Sequence, residues 1–422
     1  MYSPATAPAA PAALPTQNEI RLPASYYRII EEVSPEFIGM ARVRYYAEKL
    51  NMLPLADREA ARAVFADLAQ KMVQLNASDL DMGGTGCNGY VWYRVDGFKR
   101  PEPEMGQPTL EETNLLLLSL LAPYQQEYLF SNFSHDFSYS IDVEDDVARR
   151  FRASVYLEDK QLALSVRMLP WKPRSLRSLG FHPIIERGFM FRYVRDGLTL
   201  LTGVTGSGKS TTLDAIVNAN NENFEGHILV IAQPIEYMHT SKKCIVRHRE
   251  VGTDVASFVD GMIQGLRQDP DIVVVGEMRD PETIAAAMEM ADTGHKVFST
   301  LHTGSAMETI DRIVAEYSPE EQDRIRYRLA DVLRCVVSQK LLPAVGGGRV
   351  LAKEVLWLAT PARAAIKNNN THEIYQMMWE GSEQGMITLE QDLLRLAHVG
   401  DITHETALSF ANNKKRLLEL MR

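Results

Sequence analysis

The residues whose types and spacing are best suited to chemistry are Lys209 and Ser210, which close the stretch Gly203-Val204-Thr205-Gly206-Ser207-Gly208-Lys209-Ser210. The pattern is Gly, four residues of any type, then Gly-Lys-Ser, the spacing of a phosphate-binding loop. The glycines let backbone N–H groups turn toward phosphate oxygens, and Lys209 has the reach to contact β- and γ-phosphates. The Ser210 hydroxyl is of the type that sits on Mg²⁺. Thr211 continues into a helical pattern, and the start of a helix adds a partial positive charge for an anion. The chemistry implied is nucleotide binding with Mg²⁺.

Three further groups fit that chemistry. In Asp271-Ile-Val-Val-Val-Gly-Glu277 an apolar run ends in a carboxylate, suited to polarising a water or holding a metal with its hydration shell. Pro234-Ile-Glu236 ends an earlier apolar run, and Glu236 has the chemistry of a general base toward an attacking water. His295 and His302 flank residues 297–301, and their near-neutral titration suits a sensor of the γ-phosphate. Arg150, Arg152 and Arg167 lie on alternating stretches further upstream. Their pattern alone reads as a solvated face; the functional alternative is an arginine finger that neutralises charge in the transition state.

Apolar strands at 198–202, 227–232, 272–275 and 297–301 must position these groups, alternating with helical stretches. Asp280 and Pro281 supply an N-cap and first-turn residue for one helix, which Gly294 closes. The reading is an α/β fold, a parallel sheet of the P-loop type. It is preceded by a smaller α+β domain. That domain shows helices over 25–75, with Val64, Leu68 and Met72 on one face. Its strands read as 89–97 with a turn at Asp96-Gly97, then 137–141, 151–156 and 162–168. The segments expected are a disordered Ala/Pro-rich tail over 1–20, the α+β domain over 21–172, and a linker over 173–180 flanked by prolines. An ATP-binding domain type spans 181–359, and a helical subdomain 360–422, where Thr388 and Gln391 form a capping box and Leu389, Leu393 and Leu396 a face.

Composition narrows the function classes. Of the 422 residues, 45% are apolar and 24% charged, as in a globular protein, and the net charge of -10 argues against bulk nucleic-acid binding. Cys87, Cys244 and Cys335 are far apart, so no disulfide framework or cysteine zinc site is indicated, which suits a reducing compartment. The densest apolar run, 115–121, is too short to span a bilayer and reads as a core helix. No secretory signal is visible, and a cytoplasmic location is expected.

Longer stretches carry a resemblance. Residues 266–284, from Leu266-Arg-Gln-Asp-Pro through Glu277-Met-Arg-Asp-Pro, resemble the Walker B region of the secretion-superfamily ATPases. Residues 293–303 are similar to their His box, Pro234-Ile-Glu-Tyr-Met-His239 to the end of their Asp box, and Arg249-Glu-Val-Gly252 matches as well. Arg150-Phe-Arg152 and Val166-Arg-Met-Leu-Pro170 resemble the arginine strands of the family's N-terminal domain, which moves those arginines to the functional reading. Residues 385–394 and Gly400-Asp-Ile402 are similar to the C-terminal helices of the type IV pilus retraction branch.

The resemblance implies a RecA-like P-loop ATPase domain, a PAS-like N-terminal domain, and a homohexameric ring that hydrolyses ATP with Mg²⁺. It implies an inner-membrane platform protein of a pilus or secretion system as partner, and a cytoplasmic protein peripheral to the inner membrane. It also implies the site: residues 203–211 on the nucleotide, Ser210 and Glu277 on the metal, and Glu236, Glu277, the three arginines and both histidines in catalysis. Extension and type II secretion relatives often carry a four-cysteine zinc module, which this chain lacks. Three departures stand out. Ala232-Gln233 replaces an acidic pair, Ala365-Ile-Lys-Asn-Asn-Asn370 differs from the retraction signature, and the stretch before about residue 65 is long. An ATPase of a conjugative or type IVB secretion system, or a low-turnover nucleotide-binding regulator, would also accommodate them; a DNA translocase would not suit the acidic balance.

Overall fold

The structure, a computed structural model, describes residues 20–95, 97–142, 148–169 and 172–422. The expected tail over 1–19, Asp96 of the expected turn, and Pro170 and Trp171 at the start of the expected linker lie outside the described residues. Chain contacts divide the protein into two units, Met1–Trp171 and Lys172–Arg422.

The first unit is built on strands β1 (Asp79–Gly83), β2 (Trp92–Val95), β3 (Phe98–Pro101), β4 (Ser134–Ile141), β5 (Arg149–Glu158) and β6 (Gln161–Met168). They form one antiparallel sheet in the order β3-β2-β1-β6-β5-β4. The apolar run 115–121 is a core element: helix Leu110–Ser119 opens with a capping box between Thr109 and Glu112 and buries Leu115 to Leu118. Helix Leu55–Gln74 adds Phe65, Leu68 and Met72 to the same core, with Val64 half-buried beside them. On β5 the period of two is plain. Phe151, Ala153 and Val155 face the core, and Arg150 and Arg152 fall on the opposite face.

The second unit continues with β7 (Gly197–Thr202), β8 (Gly226–Ala232), β9 (Cys244–Glu250), β10 (Ile272–Val275), β11 (Lys296–Leu301), β12 (Leu333–Pro343) and β13 (Arg349–Trp357). Their order is β13-β12-β7-β11-β10-β8-β9. The expectation of a wholly parallel sheet needs correction at one edge. β12 and β13 pair antiparallel, because the short turn between them, with Gly346, Gly347 and Gly348 at positive φ, is too brief for a crossover. The other neighbours pair parallel.

Burial on both faces explains the unbroken apolar runs of the central strands. Val273 and Val275 face one core, which helices Pro281–Asp292, Ala306–Ala315 and Pro319–Val332 cover; Ile272 and Val274 face the other, with helix Lys209–Asn223. The stretch 173–180 is more than a linker. It contains a 3₁₀ turn, Leu176–Leu179, whose two leucines are buried with Phe181 and Phe189 in the second unit. Helix Leu389–His398 begins at the Thr388–Gln391 capping box and buries Leu389, Leu393 and Leu396 in the same unit.

Candidate functional site

β7 is buried along its whole length and delivers the chain to the phosphate-binding loop at the carboxyl end of the sheet. Gly203 has φ +141°, and a Cβ there would lie 2.5 Å from both the Gln339 carbonyl oxygen and Ser207 Oγ, so only glycine fits. Gly206 and Gly208 also have positive φ, which carries the backbone around the turn. Helix Lys209–Asn223 starts immediately after, with Ser210 and Thr211 in its first turn, so its free N–H groups and dipole end point at the loop. Val204, Thr205 and Gly206 are exposed, while the Ser207 hydroxyl is buried and makes no hydrogen bond. An orphaned buried hydroxyl in a nest of backbone donors fits a phosphate group there.

Lys209 is buried, and its Nζ donates to the carbonyls of Gly203, at 2.7 Å, and Val204, at 3.2 Å. Burial holds its pKa below the ordinary lysine value; the carboxylates of Glu277 and Glu236 oppose that shift by favouring the charged form. These two glutamates follow different parallel strands, β8 and β10, at the carboxyl end of the sheet that also delivers Lys209. Glu277 follows β10, and the segment is held by β11: Ser299 Oγ donates to the Val275 carbonyl at 2.8 Å and Thr300 Oγ1 to the Gly276 carbonyl at 2.7 Å. The Glu277 carboxylate accepts from Arg279 Nη2 at 2.7 Å, and His302 Nε2 lies 3.1 Å from its other oxygen. Burial, then the charge of Lys209, keeps the His302 pKa below its ordinary value. Near neutrality the His302 imidazole beside Glu277 is therefore uncharged. Glu236 lies on the irregular loop after β8, half-buried.

Residues 57–398 match the family of type II/IV secretion system proteins. The chain belongs to that family. The type IV pilus retraction ATPase PilT of Pseudomonas aeruginosa is 40% identical over 320 residues, covering 74% of this chain and 89% of that one. A twitching motility protein of Neisseria gonorrhoeae is 38% identical over 317 residues, 75% of this chain and 82% of its own length. A crystal structure of the pilus retraction motor PilT with bound ADP superposes with a TM-score of 0.76 at 35% identity, covering 84% of this chain and 98% of that one. This secretion-family ATPase thus has the mixed α/β fold of its relatives, and among its described residues no helix is long and apolar enough to cross a membrane.

Not every expected site residue of this type II/IV secretion family member joins the group around Lys209. His295 does not. It precedes β11, so it sits at the amino end of a parallel strand whose carboxyl end reaches the site, about 20 Å along a strand of this length. There its Nδ1 is 3.1 Å from Thr293 Oγ1 and 3.2 Å from the Met290 carbonyl, and its own carbonyl accepts from Gly197 N at the start of β7. The structure therefore places the two histidines at opposite ends of β11, His302 beside Glu277 and His295 away from it.

Arg150, Arg152 and Arg167 share one face of the first unit's sheet: Arg152 and Arg167 are direct cross-strand partners, and Arg150 is two residues from Arg152. Arg152 pairs with Asp136 at 3.1 Å and Arg167 with Asp79 at 2.9 Å. Arg279 was missed in the sequence, although a cation two residues beyond a strand-end carboxylate is a readable signal. The Asp214–His239 contact had no such signal.

Proposed function

We propose that the protein is a homohexameric motor that hydrolyses ATP to power retraction of a type IV pilus or a related secretion machine. The chain is an ATPase of the secretion family. The observation that carries the site assignment is that Glu277 and Glu236 follow two parallel strands, β10 and β8, at the end of the sheet where β7 delivers the P-loop and Lys209. In this reading residues 203–211 bind the phosphates through backbone N–H groups, and Lys209 turns its donors from the loop carbonyls to the β- and γ-phosphates. Ser210 and Glu277 would hold Mg²⁺, which supplies positive charge against the phosphate oxygens. Glu236 takes the proton of the attacking water, and the neutral His302 ring, 3.1 Å from the Glu277 carboxylate, limits where that carboxylate can swing. Arg150, Arg152 and Arg167 are proposed as cations that stabilise charge on the transferred phosphoryl group.

The likeness to pilus retraction ATPases supports a partner at the inner-membrane platform and a cytoplasmic location peripheral to that membrane. The test is phosphate release by the full-length chain. Glu236→Gln and Glu277→Gln are each expected to lower turnover by about 10²- to 10⁴-fold while a fluorescent ATP analogue still binds. Turnover unchanged by Glu277→Gln would sink the assignment. Hexamers on analytical ultracentrifugation with ATP complete the test; a monomer under those conditions would overturn the ring.

A further inference from the structure

The loop that carries Glu236 has no ladder of its own. Between the end of β8 at Ala232 and the start of β9 at Cys244 the backbone is irregular, so side chains must fix it. One set of fixings comes from β9: Glu250 accepts from Ile235 N at 3.1 Å, and His248 Nε2 accepts from His239 N at 3.1 Å. The other set comes from the P-loop helix. Asn221 Nδ2 donates to the Thr240 carbonyl at 2.8 Å, and Asp214 Oδ1 lies 3.2 Å from His239 Nε2. His239 is buried, its ring stacked on His248 and met edge-on by Tyr237 at a centroid distance of 4.6 Å.

Asp214 is five residues past Lys209, about 7.5 Å along the helix, and His239 is three residues past Glu236. We propose that Asp214 is a positioning residue: through His239 it ties the Glu236 loop to the helix that holds the phosphates, and so sets the distance between base and γ-phosphate. This rests on the reading of Glu236 as the general base.

A carboxylate–imidazolium pair can be drawn at 3.2 Å, but burial favours the neutral arrangement. It pushes Asp214 up to about 8 and His239 down to about 3. Which of Asp214 Oδ1 and His239 Nε2 donates is set by the imidazole tautomer, and the 3.2 Å contact ties the loop to the helix either way. A neutral hydrogen bond of that kind needs no charge at position 214, and an asparagine amide can donate or accept in it.

The test compares Asp214→Ala, Asp214→Asn and Glu236→Gln in the full-length protein, with kcat and KM for ATP, affinity for a fluorescent ATP analogue, and thermal unfolding. Asp214→Ala is expected to lower kcat about tenfold with KM and analogue affinity within about twofold of the parent, since a misplaced base loses rate rather than binding. Asp214→Asn is expected to restore kcat to within about threefold. His239→Ala is expected to match Asp214→Ala, and the double variant to be no slower than either single one. An unchanged kcat in Asp214→Ala while Glu236→Gln is inactive overturns the positioning role alone. An unchanged kcat in Glu236→Gln overturns the base assignment beneath it. A kcat loss that Asn fails to rescue and that follows a lowered unfolding temperature assigns the pair to stability and also overturns the proposal.

Discussion

β11 carries a histidine just outside each of its ends, and the two sit in different surroundings. At the carboxyl end His302 is 3.1 Å from Glu277, under the field of Lys209, and the loop glycines and helix N-terminus lie beside it. At the amino end His295 bonds a threonine hydroxyl and a helix carbonyl, and the adjacent Lys296 is buried with its Nζ on the carbonyls of Gly188, 2.8 Å, and Val194, 2.9 Å. Parallel pairing explains the asymmetry. Every parallel strand leaves the sheet on the same side, so the loops and helix N-termini that can meet a ligand gather there. The opposite end receives helix C-termini and carbonyls, which a cation satisfies. One end is built for exchange of ligand and charge, and the other for staying closed.

The largest effect is expected at the carboxyl end. Lys209→Ala should lower ATP turnover by at least about 10²-fold and weaken nucleotide binding, measured by phosphate release and analogue titration. Near-parental turnover in that variant would dissolve the distinction between the two ends. The histidines sharpen it. His302→Ala removes the ring that stands 3.1 Å from Glu277 and is expected to cost about 10- to 100-fold in kcat, with His302→Gln recovering part of it through its amide. His295→Ala is expected to leave kcat within about twofold and to lower stability by about 1 kcal/mol through its lost hydrogen bonds. Equal losses of kcat in the two alanine variants would restore the pairing of both histidines at the γ-phosphate.

The part of this contrast that was legible in the sequence is the local part. The phosphate-binding loop is one contiguous stretch whose glycines are forced by φ and by space, and residues 272–275 announce a strand buried on both faces. Glu277 is legible too, since it follows directly on that strand. The end at which each histidine lies was also within reach. Once β7 and β11 are parallel, a residue before β11 cannot share a site with the loop after β7. What was out of reach depends on distant chain. Lys296 finds its acceptors 108 and 102 residues away, and Asp214 meets His239 across 25. The burial of part of the expected linker over 173–180 was out of reach for the same reason. Prolines and basic residues dominate that stretch, but Leu176 and Leu179 are claimed by a core assembled mostly from later sequence. The β12–β13 hairpin stayed hidden because β12 runs as an almost wholly buried strand, which does not reveal whether its neighbour is parallel or antiparallel.

Lys296 has no expected effect on turnover, and it probes the closed end by its titration, read in stability alone. Burial lowers the Lys296 pKa to about 7 in the folded chain, against about 10.4 for an unperturbed lysine. Between those values the unfolded chain binds a proton that the folded chain rejects, so this residue's contribution to stability rises with pH through the window. It is flat below about 7 and again above about 10.4, with a slope of at most about 1.4 kcal/mol per pH unit between them. Lys296→Met removes the titration and leaves the Gly188 and Val194 carbonyls without their donor, a cost of about 1–3 kcal/mol. The urea midpoints of parent and Lys296→Met are therefore expected to diverge from about pH 7.5 to about pH 9, the parent gaining. A constant separation across that range would mean that Lys296 stays charged where it is buried. The amino end of the sheet would then hold a permanent cation on a helix-end carbonyl and a turn carbonyl, and the contrast with the carboxyl end would lie in the partners of the charge and not in its presence.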